Sequence, residues 1–259
     1  MRPMFVGRDL LVAEWHCDGQ KRPWSREVPT YDELDLPRAG VHLRARGRHR
    51  QVVDATTAAF TTAEDGYARA SPTARPQTST LIFLRGELAS AQMPGRATHA
   101  CRIAPEVAKL HFRLLGARDP VAIEETALAL VARILTPKDA SERAARELTV
   151  SPSRRRLAHE LQHVMATRFA EHLTLESIAA ACKTSPFHAS RVFRLVTGET
   201  IHGHLTRVRL RIALFELRRG AGRLTDIALS SGFSSHSHFT SAFRAEFGCP
   251  PSAFVPRAR

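Results

Sequence analysis

Cysteine is scarce in this sequence of 259 residues: Cys17, Cys101, Cys182 and Cys249 are scattered and form no C-x-x-C pair. That distribution argues against a disulfide framework or a zinc knuckle and fits reduced thiols in a cytoplasm. Long apolar runs are missing as well. No stretch reaches the roughly 18 residues that a membrane-crossing helix needs. The opening MRPMFVGRDLLVAEWH has no long apolar segment behind its positive residue, so no secretory signal and no membrane association are expected. A glycine-rich phosphate loop, a G-x-S-x-G elbow and an H-E-x-x-H helix are all absent, which argues against an enzyme. An H-x-H step, His236-Ser237-His238, lies within SSGFSSHSHFTSAF. On a strand it would place two imidazoles on one face; on a helix they diverge by about 200° and cannot share an ion.

Acidic residues are outnumbered. Lys and Arg total 38 against 25 Asp and Glu, a net charge of +13, which predicts a polyanionic partner such as nucleic acid. The excess is uneven: from Arg154 onward 16 basic residues face 7 acidic ones. An arginine-rich solvated surface is the plainer reading, so the decision falls to pattern. The hydrophobic content of 43% is enough for packed cores.

Residues 5–103 read as short strands. GVHLRARGR alternates, with Val41, Leu43 and Ala45 on one side and His42, Arg44 and Arg46 on the other. Asp54-Ala55-Thr56 signals a turn, and TSTLIFLRGE is a β-rich run closed by Gly86. Strands at this spacing suggest a small sandwich or barrel. From Pro105 the period becomes helical. Val107, Leu110, Leu114 and Leu115 form one stripe, and Ile123, Ala127, Leu130, Val131 and Ile134 form a second. The second stripe packs on the β-region or pairs two copies of the chain. The polar, proline-containing TPKDASERAARELTVSPSRRR reads as a linker.

The C-terminal part contains a repeat. LTLESIAAACKTSPFHASRVFRLVTG (173–198) and GRLTDIALSSGFSSHSHFTSAFRAEFG (222–248) share one layout, with Ile178-Ala179 answered by Ile227-Ala228 and Phe193 by Phe243. Each copy reads as a helix-turn-helix. Ile178, Ala179, Val192, Phe193, Ile227, Ala228, Phe233, Phe239 and Phe243 are expected in the core, and Gly232 in a tight bend. Thr174 and Thr225 are candidate first-helix caps, but Ser177 and Ala228 three residues on predict no full capping box in either copy. Ser185, and Ser234 or Ser235, would cap the second helices. Between the copies, TIHGHLTRVRLRIALFELRRG predicts one amphipathic helix with Leu205, Val208, Ile212 and Phe215 on a shared face. At 1.5 Å per residue it spans about 30 Å, close to the ~34 Å between successive major-groove segments.

These motifs resemble the signature of AraC/XylS-type transcriptional regulators. The matching residues are Ile227-Ala228, Gly232-Phe233, Ser237-His238-Phe239, Phe243-Arg244, Gly248 and Pro250-Pro251. The upstream IAAACKTSPFHASRVFRLVTG is similar to that family's first unit, so the likeness covers roughly 157–256. More faintly, the N-terminal half resembles the family's cupin-like sensor. The resemblance implies a two-domain α+β protein. A cupin-like small β-barrel with helices would occupy 1–140, including a helical extension at about 105–136. A linker would run over 141–156. An all-α DNA-binding domain would occupy 157–256, with helix-turn-helix units at about 174–197 and 224–247 joined by a long helix. Its partners would be the major groove of double-stranded DNA, RNA polymerase, a small effector and a second copy of the chain, in the cytoplasm, with no cofactor.

The same resemblance assigns base reading to Phe187, Ser190 and Arg191 in the first unit and to His236, Ser237 and Ser241 in the second. Arg191 suits guanine O6 and N7, and Phe187 a thymine methyl. Lys183, His188, Arg194, His238 and Arg244 would meet the DNA backbone. For each basic residue a solvated surface position is the plainer alternative. The sequence departs from the family at Ser235, His238, Ser241 and Val255, which shifts the second unit toward phosphate contact and packing. Two competing classes remain: a cupin-type metal enzyme fused to a DNA-binding module, and a sequence-indifferent nucleoid-type binder. The metal enzyme would draw on His16, His42, His49 and Glu64, but no H-x-H falls on a predicted strand and no metal is expected. Trp15, Trp24, Tyr31 and Phe60 are candidate effector-pocket residues that also read as plain core.

Overall fold

A computed structural model describes residues 1–47, 49–63, 65–86, 88–89, 99–135, 150–220 and 222–255. Glu64 and the expected linker as far as residue 149 lie outside them, as does residue 256 at the end of the expected DNA-binding domain. The chain divides into two compact units, Met1–Pro137 and Lys138–Arg259.

The first unit contains strands β1 (Arg2–Val6), β2 (Leu10–Cys17), β3 (Arg22–Glu27), β4 (Asp32–Ala39), β5 (His42–Arg46), β6 (His49–Val53), β7 (Thr57–Thr61), β8 (Tyr67–Ser71), β9 (Gln77–Leu84) and β10 (His99–Arg102). They form a six-stranded sheet in the order β1-β2-β9-β4-β7-β10 and a four-stranded sheet in the order β3-β8-β5-β6. Asp54 builds the β6–β7 turn: its carboxylate accepts from the Thr56 amide at 2.8 Å and the Thr56 hydroxyl at 2.7 Å. Helices α1 (Pro105–Leu114) and α2 (Pro120–Leu135) follow.

Register separates the two faces of the larger sheet, because directly opposed residues share a face. Val12 and Leu34 both oppose Ile82, Leu10 opposes Leu84, and Leu36 opposes Thr80. This face meets α1, where His111 bonds the Thr80 hydroxyl at 2.8 Å. Leu10, Val12, Leu34 and Ile82 are fully buried, each worth roughly 1.5–3 kcal/mol. The other face carries Glu33 opposite Phe83 and Thr61, and Asp35 opposite Leu81 and Ala59.

The alternation expected of β5 holds, and this polar face buries its charged side. His42 and Arg44 are buried, whereas Leu43 and Ala45 are only half-buried. Arg44 donates to Asp35 Oδ2 at 2.9 Å, Thr61 Oγ1 at 2.7 Å, Glu33 Oε1 at 3.2 Å and His42 Nε2 at 3.2 Å, and it lies over the Tyr67 ring. Burial, then the charges of Arg69 and Arg44, hold the His42 imidazole well below its usual range. A neutral ring therefore accepts from Arg44, and its 3.4 Å approach to Asp35 is proximity rather than an ion pair. Burial raises the Glu33 carboxyl, against the opposing pull of Arg44. The α1 stripe is also redrawn: Val107, Ala108, His111 and Leu114 are buried, while Leu110 is half-buried because the sheet receives His111 instead. On α2 the buried set is Ile123, Ala127, Leu130, Val131 and Leu135, with Leu135 in place of Ile134.

The second unit is helical: α3 (Pro152–Arg168), α4 (Leu175–Ala181), α5 (Pro186–Thr197), α6 (Ile201–Arg219), α7 (Leu224–Ser230), α8 (His236–Phe247) and a short 3-10 turn (Pro251–Phe254). Helix α3 begins at Pro152, a favoured first-turn residue behind extended Ser151. Arg154, Arg155 and Arg156 therefore belong to a helix rather than to the linker expected over 141–156. Ala158, Leu161 and Met165 of α3 pack with Ile178, Ala179, Ala189, Phe193, Ile201 and Leu205. A second core is aromatic, running through Phe233, Phe239, Phe243, Phe247 and Phe254 at centroid separations of 4.5–5.9 Å. Helix α6 is buried on most of its circumference, so Leu210, Arg211, Ala213, Leu214 and Leu217 join the expected Leu205, Val208 and Phe215; Ile212 is half-buried.

Candidate nucleic-acid interface

Two helix pairs, α4–α5 and α7–α8, flank α6 in the chain and share one layout of turns and second-helix caps. Thr174 caps α4. It accepts from the Ser177 amide at 3.2 Å while Ser177 accepts from the Thr174 amide at 3.0 Å, so, against expectation, serine completes a full capping box. In the second pair Thr225 lies inside α7. The helix starts after Arg223, whose amide reaches the Asp226 carboxylate at 3.4 Å.

The turns coincide at 49-residue spacing. Thr184 N bonds Ala179 O at 3.1 Å, and Phe233 N bonds Ala228 O at 3.0 Å. The bend residue is Lys183 at φ 52° in one turn and Gly232 at φ 86° in the other. A Cβ on Gly232 would lie 2.4 Å from the Phe169 carbonyl oxygen and 2.8 Å from Arg209 Nε, so only glycine fits there. Lys183 is the one non-glycine residue at positive φ among the described residues.

Ser185 and Ser235 then cap α5 and α8, accepting from the amides of His188 and His238 at 3.2 Å each. Gly198 and Gly248 end them in the left-handed region. At 50-residue spacing, Ala189 and Phe193 of α5 are buried, as are Phe239 and Phe243 of α8; Val192 and Phe247 are buried in one copy each. The outward positions also match: Phe187 with Ser237, His188 with His238, Arg191 with Ser241, and Arg194 with Arg244, all exposed. Phe187 is 77% exposed despite its apolar ring. Ser190 is half-buried, while His236 and Lys183 are exposed. His236 and His238 stand on the first turn of a helix, and no group of three or more metal-capable side chains exists among the described residues. His238 sets its ring edge-on to Phe233 at 5.5 Å and places Nδ1 3.4 Å from Ser234 Oγ, which is the packing role expected of an aromatic at that slot. The expected core residues Ile178, Ala179, Val192, Phe193, Ile227, Ala228, Phe233, Phe239 and Phe243 are all buried, and Gly232 is half-buried.

A family model described as a helix-turn-helix domain matches residues 178–257. The bifunctional transcriptional activator/DNA repair enzyme AdaA of Bacillus subtilis is 34% identical over 86 residues, which are 33% of this chain and 41% of that protein. The HTH-type transcriptional activator RclR of Escherichia coli is 38% identical over 86 residues, 33% of this chain and 30% of that one. The C-terminal module is an AraC/XylS-type helix-turn-helix domain. The chain spans less than half the length of these curated relatives. Among solved structures, ToxT of Vibrio cholerae aligns over 96% of this chain and 98% of its own at 9% identity and a TM-score of 0.37.

Two features of the AraC/XylS-type module escape a reading of motifs. The first turn of α3 and the α4–α5 turn enclose a hollow of about 330 Å³ lined by Arg154, Arg156, Glu160, Lys183 and His188. The run of three arginines was the available signal; its placement beside Lys183 was not. The second feature is an ion-pair network on α6. Glu199 accepts from His204 Nδ1 at 2.9 Å and from Arg207, and Glu246 of α8 meets Arg211 at 3.0 Å and Arg207 at 3.7 Å. Burial disfavours the Glu199 carboxylate, yet the bonds and charges of His204 and Arg207 outweigh it and hold its pKa at about 2. These residues join α6 to α8, and Arg209 joins α6 to the end of α3 by donating to the carbonyls of Phe169 at 2.8 Å and Glu171 at 2.9 Å.

His42 and His16 each have a partner of their own. His42 is held in the Arg44 cluster, and the largely exposed His16 lies 3.2 Å from Asp18. Nothing is described of the His49 side chain. Of the pocket candidates, Trp15 lines a cavity of the first unit; Phe60 is buried opposite Leu34 on the helix-covered face. Trp24 and Tyr31 are exposed beside Arg50 and Arg85. No helix among the described residues is long and apolar enough to cross a membrane.

Proposed function

We propose that this protein is a sequence-specific DNA-binding transcriptional regulator and not an enzyme. The observation that carries the reading is the matched pair α5 and α8, which present equivalent outward residues on a module with 16 basic and 7 acidic residues from Arg154 onward. Residues 157–256 act as the DNA-binding domain, with helix-turn-helix units at 174–197 and 224–247. Phe187, Ser190, Arg191, His236, Ser237 and Ser241 read major-groove base edges. Lys183, His188, Arg194, His238 and Arg244 hold phosphates. Residues 1–140 act as a cupin-like sensor for a small effector, and the module also engages RNA polymerase in the cytoplasm. The largely apolar α2 is the surface through which two copies would pair.

Arg191 makes the sharpest test. Its fork can bond guanine O6 and N7 together, which is worth about 1–3 kcal/mol of discrimination. Binding of the chain's own promoter region by residues 150–259 should be strongly salt-dependent. Arg191→Ala should lose specific affinity by that amount while retaining binding to random DNA. Equal affinity of the parent for promoter and random DNA would favour the nucleoid-type reading. No DNA binding, with metal recovered stoichiometrically in the first unit, would favour the metal enzyme.

A further inference from the structure

We propose that the cavity in the first unit is a binding site for a small organic carboxylate anchored by Arg69. The inference rests on the reading of that unit as an effector sensor and names the chemistry it would recognise. The cavity measures about 260 Å³ and takes its walls from both sheets: Trp15, Glu33, Leu81 and Phe83 from one, Tyr67 and Arg69 from the other. Arg69 reaches across the cavity to the facing sheet, whereas Met1 and Arg22, the other lining residues that carry positive charge, are exposed. Glu33 is engaged by Arg44 at 3.2 Å, and Glu27 accepts from the Tyr67 hydroxyl at 2.8 Å. The Arg69 guanidinium stacks on the Trp15 ring at 4.3 Å, and its Nη2 is buried with no hydrogen-bond partner among the described residues. A buried unpaired donor on a permanent cation is unfavourable until an anion meets it, and a planar carboxylate fits a guanidinium through two parallel bonds. Trp15, Leu81 and Phe83 offer an apolar wall for the rest of such a molecule.

The full chain carrying Trp24→Phe retains Trp15 as its single tryptophan, so its fluorescence reports on the cavity. Titration with hexanoate and benzoate at up to millimolar concentration should give a saturable change. Hexanamide and benzamide should give none. Arg69→Gln should weaken the acids by at least about 30-fold, the loss expected when one partner of a buried charge pair is removed. Arg69→Lys, which keeps the charge and provides a second foldable variant, should weaken them by about tenfold. The inference is overturned if neither acid binds, if the amides bind equally well, or if Arg69→Lys titrates like the parent. DNA affinity measured with and without hexanoate separates the two readings. Binding at Arg69 without an effect on DNA would keep the site and remove the sensor role. A DNA response to another molecule, with both acids inert, would do the reverse.

Discussion

At the residue scale, the two turns solve one geometric problem with different side chains. Lys183 adopts φ 52°, a region that disfavours non-glycine residues by roughly 1–2 kcal/mol, at the position where the second copy uses Gly232. A lysine held there is explained by its charge, since it stands in the basic hollow with Arg154, Arg156 and His188. Lys183→Gly should therefore keep or raise the melting temperature while lowering DNA affinity and reducing the salt slope by about 0.9. Gly232→Ala should behave oppositely. Its Cβ would approach the Phe169 carbonyl to 2.4 Å at a positive φ, so the module should lose more than about 1 kcal/mol. Thermal melts and salt titrations of the two variants separate these effects; a Gly232→Ala protein that melts like the parent would show that the turn relaxes freely. Gly232 was legible in the sequence because glycine announces such a bend. Lys183 was not, because nothing in its own side chain marks a left-handed backbone.

At the scale of elements, the helices of the second unit and the alternation of strand β5 were legible, but the side of β5 that is buried was not. Caps, turns and apolar spacing are local, and a repeat doubles each signal. The face of β5 is decided by Glu33, Asp35 and Thr61 on β4 and β7, which make a polar interior where Arg44 is satisfied and Leu43 is left half-buried. No window around residues 40–48 contains that information. The network of Glu199, Arg207, Arg211 and Glu246 was hidden for the same reason: its members come from the α5–α6 junction, α6 and α8. It carries a pH signature. The folded pKa of Glu199, about 2, lies below the ordinary 4.5, so its contribution is complete above pH 4.5 and is lost as pH falls toward 2. Glu199→Gln should lower stability at neutral pH by roughly 1.5–3 kcal/mol, the worth of hydrogen bonds to a charged group. The melting temperatures of parent and variant should converge as the pH approaches 2. A constant difference across that range would assign the loss to packing instead of charge.

At the scale of the whole molecule, the two units divide the chemistry. The first buries a cluster of Arg44, Glu33 and Asp35 between two sheets, and the second displays basic residues on two helix pairs. What the second unit can read is limited by its connector. Helix α6 is 19 residues long, about 28 Å at 1.5 Å per residue. It is bonded to the end of α3 through Arg209 and to α8 through Arg207 and Arg211, so it is a fixed spacer rather than a flexible tether. A fixed spacer of that length suits two major-groove segments about one helical turn apart on the same side of the duplex. Insertion of about 5 base pairs between the two contacted segments would turn the second segment to the opposite side, and affinity should fall to that of one unit alone. Insertion of about 10 base pairs restores the side but adds roughly 34 Å of separation, which α6 cannot cover, so affinity should remain low. A tethered pair of units would recover at 10 base pairs, because a flexible linker tolerates added distance far better than a rotated face. Gel-shift titration of the three spacings therefore distinguishes the rigid module from a tethered one, and recovery at the longer spacing would refute the role assigned to α6.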